Sequence, residues 1–356
     1  MISRRWCDYY LQVLAISREM VATMILRFWI LILFVEVEVC WVAQSRTDVT
    51  SSASYEYSTE AVSVSTSSSE SDSNHHQYFP DSQIVLDMAI LAGSVYQLKD
   101  KGVFCRDRSS TKKLVLPNGA ECLHYSHDLV LGTQVLVVRS TLHNYVAISY
   151  AGTNDLTTFS TDGNALLGDF GPTQTILDDE KISNDTSDNN FMSIFKNLPE
   201  GIGVHRGFNN AVFNSDFFPA IMRCIKSARL GGTCCNEDDG GFMIISNVTE
   251  TYQLYTTGHS LGAANAVLLG AALHLAYPNE NIRSVNFGCP KIGAKPWKDW
   301  VNSLQPDRIS ASSGSYEIFR FVNKLDVIPR QPRFVLAHAG HTLQMTVGGV
   351  IQVSCG

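Results

Sequence analysis

The sequence predicts an α/β fold in which a mostly parallel central sheet is covered by helices on both faces. Along most of the chain, runs rich in β-branched and aromatic residues alternate with runs whose apolar residues recur at helical spacing. Strands that are separated by helices of this length pair in parallel, because each helix carries the chain back across the sheet. The 45% apolar content of the 356 residues is sufficient for a large buried core.

The predicted helices and strands follow one another from about residue 80 onward. The first helix begins near Pro80. Its apolar positions at helical spacing are Ile84, Val85, Met88, Leu91, Ala92 and Val95. Further helices are predicted over residues 208–227, 261–276 and 295–304. The predicted strands are VLVVRS near Val135, YVAISYAG near Tyr145, YQLYTTG near Tyr252, RSVNFG near Arg283, EIFRFVN near Glu317 and TLQMTVGGVIQVS near Thr342.

The first 44 residues differ from the rest of the chain. Four arginines precede the apolar run at residues 28–35, which is the order of charged and apolar residues in a secretory signal. This run of eight residues is shorter than the roughly 20 that a membrane span needs. We therefore predict a signal peptide at residues 1–44, with a signal anchor or a buried helix as alternatives. A Ser- and Thr-rich disordered linker at 45–80 and one domain at 81–356 complete the predicted organisation.

Charge and glycosylation signals limit the expected partners and location. The chain has 27 Lys and Arg against 34 Asp and Glu, a net charge of −7 without a basic stripe, so nucleic acid is not an expected partner. The Asn-x-Thr triplets at Asn184 and Asn247 are typical of proteins that pass through a glycosylating compartment. We expect a secreted glycoprotein, with a membrane-anchored protein as the alternative.

The cysteines predict disulfides rather than a metal site. Removal of the leader leaves seven cysteines, and none of them has the spacing of a zinc site. Seven is an odd number, so one thiol has no partner within the chain. The expected local pairs are Cys105 with Cys122, and Cys224 with either Cys234 or Cys235. Inert buried thiols are the alternative.

The clearest chemical signal is GHSLG, which comprises Gly258, His259, Ser260, Leu261 and Gly262. A β-rich run leads into it and a helix of small residues leads out of it, which is the order of strand, sharp turn and helix in a nucleophile elbow. The turn strains the serine backbone, so both glycines are needed where a side chain would collide with a neighbouring strand or helix. Ser260 is therefore the predicted nucleophile, and a buried serine in a Gly-rich turn is the alternative.

An oxyanion that forms at an ester carbonyl needs fixed hydrogen-bond donors. In an elbow of this kind one donor is the N–H of the residue after the nucleophile, here Leu261, and the other comes from a loop after an earlier strand. The segment YAGTN ends a predicted strand at Tyr150 and turns through Gly152, Thr153 and Asn154. Thr153 is therefore the predicted second donor, although the segment could also be a turn without a catalytic role.

Asp326 follows the predicted strand EIFRFVN. Catalytic groups of parallel sheets collect at the carboxyl ends of strands, and a carboxylate there can hold a histidine in the correct tautomer and stabilise its protonated form. Asp326 is therefore the predicted acid of a catalytic triad. A role as a helix or turn cap is the alternative.

Five blocks in this order resemble the class 3 lipases, the fungal lipase-like family. They are YAGTN, VHRGF, GHSLGAA, VNFGCPKIG and FRFVNKLDVIPRQP, and the resemblance covers residues 81–356. It implies an α/β-hydrolase fold that acts on acylglycerols, phospholipids or related esters. Within the matching blocks it also implies that Ser260 is the nucleophile, Asp326 the acid, and Thr153 and Leu261 the oxyanion donors. The family has an arginine where this sequence has Ala151, which leaves the loop around Thr153 without a charged anchor.

The histidine of the triad is not identified. Only His338 and His341 follow Asp326, and both precede the predicted last strand, where they resemble the turn that opens that strand in the family. Three alternatives stay open: a C-terminal segment beyond Gly356 carries the base, His338 or His341 is the base, or the protein does not catalyse. His205 and His259 precede the acid, so packing or hydrogen-bonding roles are expected for them.

The segment between Asn154 and Val204 is longer than a routine connection. It contains a short helix with Phe191, Met192, Ile194, Phe195 and Leu198 on one side, which predicts either an interfacial lid or, given its acidic stretch, a solvated surface insertion. The predicted function is acyl transfer from lipid esters to Ser260 and then to water, without a metal or organic cofactor. A non-catalytic lipid- or partner-binding protein on the same scaffold is the alternative.

Overall fold

The structure is a computed structural model, and it describes most of the predicted domain. The described residues are 80–101, 114–128, 131–152, 167–172, 189–213, 218–232, 234, 251–306, 314–332, 336–345 and 351–354. The predicted leader, the linker and both sequons lie outside these ranges. Within these ranges, none of the helices combines the length and apolar character needed to cross a membrane.

The secondary structure follows the predicted alternation of strands and helices. In chain order the elements are α1 (Ser82–Lys101), β1 (Ala120–Asp128), β2 (Thr133–Ser140), β3 (Tyr145–Tyr150), β4 (Leu167–Asp169), a 3-10 helix (Asn189–Asn197), β5 (Gly203–His205), α2 (Arg206–Phe213), α3 (Phe218–Ala228), β6 (Gln253–His259), α4 (Leu261–Ala276), β7 (Ile282–Phe287), α5 (Lys295–Ser303), β8 (Tyr316–Asn323), a 3-10 turn (Ile328–Arg330), β9 (His341–Met345) and β10 (Ile351–Ser354).

Eight strands form one sheet in the order β1-β2-β3-β6-β7-β8-β9-β10. The pairs from β3 to β9 are parallel, whereas β1, β2 and β3 pair antiparallel and β10 is antiparallel to β9. The short strands β4 and β5 form a separate antiparallel pair. The mostly parallel sheet that the sequence predicts is therefore confirmed.

Helices cover both faces of the sheet and enclose two apolar clusters. On one face α4 is buried along its first 13 residues. Its side chains are mostly small, so the helix lies close to the strands. Apolar residues occur on all sides of the helix, which is typical of a helix inside a core. On the other face α1 buries Met88, Leu91 and Val95, which are among the positions whose spacing predicted this helix. The central strands are thus buried on both sides.

Two predicted boundaries are wrong. Residues 208–227 form two helices, α2 and α3, and not one. Pro219 lies in the first turn of α3, where its missing N–H is tolerated, whereas inside one continuous helix it would remove a hydrogen bond. The run TLQMTVGGVIQVS contains two antiparallel strands, β9 and β10, and not one last strand. Two adjacent glycines between them in the sequence favour a reversal of the chain.

The cysteines follow the prediction where the structure describes them. Cys224 pairs with Cys234, the first of the two alternatives, with a Cα–Cα distance of 4.6 Å. Cys122 is also in a disulfide, and its predicted partner Cys105 lies outside the described residues. Cys289 is a buried free thiol, and burial raises its pKa to about 12. It is therefore an inert packing residue.

Candidate active site

Ser260 lies at the turn between β6 and α4 in an unusual backbone conformation. Its φ is 56° and its ψ is −125°, a region that costs a non-glycine residue free energy. Neighbouring strands hold it there: the Ser260 N–H donates to the Phe287 carbonyl at 3.0 Å, and its own carbonyl accepts from Ala263 N at 3.0 Å. The strained strand-turn-helix geometry is the one that the GHSLG motif predicts for a nucleophile elbow.

The two glycines of the motif lie where a side chain would collide with backbone atoms. A Cβ on Gly258 would lie 2.5 Å from the carbonyl carbon of Gly262, and a Cβ on Gly262 would lie 2.6 Å from the carbonyl carbon of Ala151. Backbone atoms cannot move aside as the end of a flexible side chain can. The elbow therefore depends on both glycines, because α4 packs directly against β6 and the end of β3.

The end of β3 runs beside the elbow, where the sequence predicts the oxyanion donors. Tyr150 is paired with Gly258 in the parallel register, so the chain after β3 passes next to Ser260. A Cβ on Gly152 would lie 3.0 Å from the His259 carbonyl oxygen. Thr153, the predicted donor in this loop, lies outside the described residues. Leu261 opens α4, in the turn whose N–H groups have no partner within the helix.

Hydrogen bonds of Tyr96 connect the chain after β3 to the turn at Ser260. Tyr96 was not identified from the sequence. Its buried hydroxyl accepts a hydrogen bond from Gly152 N at 2.8 Å and donates to the His259 carbonyl at 3.3 Å. Burial raises the Tyr96 pKa to about 12, so the hydroxyl stays protonated. No local pattern could have identified Tyr96, because it lies within the helix α1 next to Val95 and its partners are distant in sequence.

Asp326 uses its two carboxylate oxygens differently. Oδ1 accepts a hydrogen bond from Ile328 N at 2.9 Å, which is the turn-capping role considered as the alternative. Oδ2 is directed at Gly288: a Cβ on that glycine would lie 2.7 Å from Oδ2 and 3.7 Å from His259 Nε2. Burial raises the pKa of Asp326, and the hydrogen bond from Ile328 opposes this shift. The cap therefore leaves one oxygen available on the side of the elbow.

Four histidines lie in or near the predicted site blocks, and each contacts another group, which for His259 is the Tyr96 hydroxyl at 3.5 Å. His338 Nε2 donates to the Pro329 carbonyl at 2.6 Å, and burial together with nearby cationic groups lowers its pKa to about 3. His341 stacks on Phe319, with ring centroids 5.6 Å apart. Burial lowers the His259 pKa to about 4, and His205 accepts from Gly207 N at 3.1 Å. Within the described residues, no hydrogen bond joins His338 or His341 to Ser260 or Asp326.

The short helix of the predicted insertion packs against the domain through Phe195. The Phe195 ring contacts Phe170 and Phe213 edge to face, with centroid distances of 5.6 and 5.3 Å. The side chains of Phe191 and Met192 lie outside the described residues. The apolar side of this 3-10 helix is therefore partly covered by aromatic residues of the core in this conformation. As far as the chain is described, no His, Cys, Asp and Glu residues are grouped so as to bind a metal ion.

The sequence matches known proteins over part of its length. A profile of the family described as Lipase (class 3) matches residues 179–336. Phospholipase A1-IIalpha of Arabidopsis thaliana is 33% identical over 108 residues, which cover 27% of this chain and 23% of that protein. In this match the chain spans less than a quarter of the curated relative's length.

Solved structures share the fold. Lipase II from Rhizopus niveus has a TM-score of 0.51 at 21% identity, and the match covers 77% of this chain and 84% of that one. A triacylglycerol lipase from Penicillium expansum has a TM-score of 0.50 at 18% identity, with 78% and 85% covered. At this level of identity the similarity establishes the architecture, and the chemistry has to be argued from the residues at the elbow.

Proposed function

We propose that this chain, which matches the class 3 lipase family over residues 179–336 and shares the fold of solved lipases, hydrolyses carboxylic esters of lipids through an acyl-enzyme on Ser260. The observation that carries the proposal is the backbone of Ser260, a non-glycine residue held at a φ of 56° between a buried strand and a buried helix. Strain of this kind persists only where the surroundings impose it, and functional sites are where it is concentrated.

The first half of the reaction forms the acyl-enzyme. Ser260 Oγ attacks the carbonyl carbon of the ester while a histidine takes the hydroxyl proton, and the negative charge develops on the carbonyl oxygen. The N–H groups of Leu261 and Thr153 donate to that oxygen. The histidine then returns the proton to the alcohol, which leaves as the carbon–oxygen bond of the ester breaks. Water attacks the acyl-enzyme by the same route and releases the acid.

The start of α4 supports charge development at the elbow. Its first N–H groups have no partner within the helix, and the aligned peptide dipoles of 16 residues place partial positive charge at this end. These donors are fixed before the reaction, so the oxyanion gains hydrogen bonds without reorganisation. Tyr96 assists by holding Gly152, the residue before Thr153, through its hydroxyl.

Asp326 orients the base in the proposed mechanism. Its Oδ1 is committed to Ile328 N, and Oδ2 is available to accept from a histidine N–H. The rings of His338 and His341 already have other contacts, and a His338 pKa of about 3 makes that ring a poor proton acceptor at neutral pH. The proposal therefore assigns proton transfer to a histidine positioned by Asp326 Oδ2, and not to either of these two rings.

The proposed substrates are acyl esters of glycerol. The matched relative from Arabidopsis thaliana is named a phospholipase, and one structural neighbour is a triacylglycerol lipase. Both reactions break the same type of bond, a carboxylic ester next to a glycerol carbon. The predicted leader at residues 1–44 and the sequons at Asn184 and Asn247 support the proposal that the protein enters the secretory pathway and acts outside the cytosol.

Substitution of Ser260 tests the proposal. We expect Ser260→Ala to lower hydrolysis of p-nitrophenyl butyrate and of emulsified tributyrin by about 10³-fold or more, because the nucleophile is removed. Ser303→Ala is the matched control, since Ser303 is an exposed serine at the end of α5 whose hydroxyl donates to the Trp300 carbonyl within its own helix. Equal rates for Ser260→Ala and the unchanged protein would exclude Ser260 as the nucleophile.

A non-catalytic lipid- or partner-binding protein is the second candidate. It is favoured by the hydrogen bond of His338 to Pro329 and the stacking of His341 on Phe319, which leave Asp326 without a described histidine partner. A fluorophosphonate probe discriminates the two candidates, because it labels only a serine whose hydroxyl is activated by a base. Labelling that disappears in Ser260→Ala supports the hydrolase, and an unlabelled, folded protein supports the binding module.

A further inference from the structure

The loop that carries Asp326 exposes two large apolar side chains. Leu325 is 83% exposed and Val327 is 53% exposed. Within the described residues, Leu325 is the most exposed of the large apolar side chains. Single apolar residues on a surface are ordinary. In this loop, however, two exposed apolar residues lie on either side of Asp326, the proposed catalytic acid.

Hydrogen bonds fix the conformation of this loop, so the exposure does not arise from a loose chain. Leu325 N donates to Asn323 Oδ1 at 3.1 Å, and Arg330 N donates to the Val327 carbonyl at 3.1 Å. The Arg330 guanidinium also donates to the Lys324 carbonyl at 3.0 Å, which closes the loop from one end to the other. Asp326 is directed inward by its bond from Ile328 N, and its two neighbours along the chain are directed outward.

The exposed charges of the loop are positive, although the whole chain carries a net charge of −7. Lys324 and Arg330 are both exposed and lie at the two ends of the loop, on either side of the apolar pair. The one carboxylate between them, Asp326, is partly buried and directed at Gly288. Apolar side chains flanked by Lys and Arg are the combination that binds anionic lipid surfaces, where the apolar groups enter the headgroup boundary and the cations contact phosphates.

The position of the loop places such a surface beside the elbow. The strands β6, β7 and β8 are neighbours and parallel, so their carboxyl ends lie on the same edge of the sheet. Ser260 follows β6, Gly288 follows β7 and the Asp326 loop follows β8. Oδ2 of Asp326 approaches Gly288 closely, which ties the loop to the residues next to the elbow.

We propose that residues 324–330 form a lipid-contact loop, in which Leu325 and Val327 insert into a phospholipid surface and Lys324 and Arg330 bind anionic headgroups. The inference rests on the proposed function in one respect: the occupant is taken to be a lipid surface because the adjacent site is proposed to cleave lipid esters. The loop brings the edge of the sheet with Ser260 against that surface. It acts through contacts different from those of the 3-10 helix at Asn189–Asn197, whose Phe195 is packed on the core.

Leu142 provides a matched control on the opposite edge of the sheet. It is 59% exposed and lies in the turn between β2 and β3, at the amino end of β3, whereas the elbow lies at the carboxyl ends of the strands. The turn at residues 141–144 contains no Lys or Arg. An exposed leucine there has neither the apolar partner nor the flanking cations of the lipid-contact loop.

The experiment measures binding of the full chain to vesicles of phosphatidylcholine with and without phosphatidylglycerol. All proteins carry Ser260→Ala, so that hydrolysis does not change the vesicles. We expect Leu325→Ser combined with Val327→Ser to weaken vesicle binding about tenfold, because two partly inserted apolar groups are lost. Lys324→Gln should weaken binding about fivefold on the anionic vesicles only. Leu142→Ser should bind as the parent does.

Two results would overturn the inference: equal vesicle binding by the Leu325 and Val327 double variant and its parent, or an equal loss in Leu142→Ser. Circular dichroism during heating controls for unfolding, and we expect unchanged midpoints because all substituted side chains are exposed. The experiment distinguishes a failure of the lipid-contact loop from a failure of the proposed enzymatic function. Loop-dependent vesicle binding without hydrolysis of a soluble ester by the unchanged protein would reject only the enzyme, and hydrolysis without loop-dependent binding would reject only the lipid-contact loop.

Discussion

At the amino edge of the parallel sheet the carboxylate of Asp87 is fully buried and accepts hydrogen bonds on both oxygens, whereas at the carboxyl edge Asp326 keeps one oxygen without a described partner. Gln83 donates to Asp87 Oδ1 at 2.9 Å, and Tyr145 and His143 donate to Oδ2 at 2.9 and 2.8 Å. The Asp87 cluster thus contains an acid, a histidine and a hydroxyl, as a catalytic triad does. Its hydrogen-bonding capacity is used internally, so it stabilises the fold.

The two edges also differ in backbone strain. Asn144, in the turn that precedes β3, has a φ of 51°, and Ser260 has a φ of 56°. Asparagine adopts this region readily because its side chain can bond locally, whereas serine does so only when the surroundings impose it. The carboxyl edge has a strained serine, and among the described residues the Asp326 carboxylate accepts a hydrogen bond on only one of its oxygens. Relaxed, fully bonded polar groups characterise the amino edge.

The largest expected effect comes from a methyl group inside the elbow. In Gly262→Ala the new Cβ would collide with the Tyr150 carbonyl oxygen, so we expect the loss of ester hydrolysis and of at least about 3 kcal/mol in the free energy of unfolding. Urea unfolding followed by circular dichroism measures the second quantity.

Gly93 in α1 is the matched control for this substitution. A Cβ on Gly93 would meet no atom within 4 Å, so Gly93→Ala should raise the free energy of unfolding by up to about 1 kcal/mol, because alanine favours helices more than glycine does. If both alanine variants had the same stability and activity, the close packing of α4 on the end of β3 would not be a requirement of the elbow.

The two carboxylates should give opposite results when each is changed to asparagine. Asp326→Asn should lower the rate of ester hydrolysis by about 10³-fold to 10⁴-fold, because an amide cannot stabilise a protonated histidine. Its free energy of unfolding should be unchanged or slightly higher at neutral pH, since burial disfavours the ionised carboxylate.

Asp87→Asn should retain the rate and lose about 3 kcal/mol of unfolding free energy, because buried donors lose a charged acceptor. Kinetic assays and urea titrations of both variants, at the same pH, provide the comparison. A large loss of rate in Asp87→Asn, together with an active Asp326→Asn, would reverse the assignment of the two edges.

The stability of the protein should also depend on pH through His259, without a change in any catalytic group. The His259 pKa is lowered to about 4 by burial, so below pH 6.5 the unfolded chain takes up a proton that the folded chain resists. The contribution of neutral His259 is therefore complete above pH 6.5 and is lost as the pH falls to 4. Relative to His259→Gln, the unchanged protein should lose up to about 3 kcal/mol over this interval. Urea titrations at several pH values measure the free energy of unfolding of both proteins. A constant difference between them from pH 6.5 to pH 4 would contradict this prediction.

The sequence was sufficient where periodicity and special residues act locally. The strands β2, β3, β6, β7 and β8 were predicted because each is rich in β-branched and aromatic residues, and α4 has the predicted bounds. The edge strand β1 was missed, since its residues are mostly partly exposed and include His124, Ser126 and Asp128. The split between α2 and α3 was missed because an apolar period continues through both helices.

The sequence by itself determined the strand, turn and helix around Ser260 and the position of Asp326 after a strand, because glycine spacing and strand ends are local properties of the chain. Only the tertiary structure decided that Tyr96 holds Gly152, and that Asp326 offers one oxygen whereas Asp87 offers none. It also decided that Leu325 and Val327 stay exposed beside the elbow. These features depend on contacts between residues far apart in sequence, and local periodicity carries no information about which side chains meet when strands and helices pack.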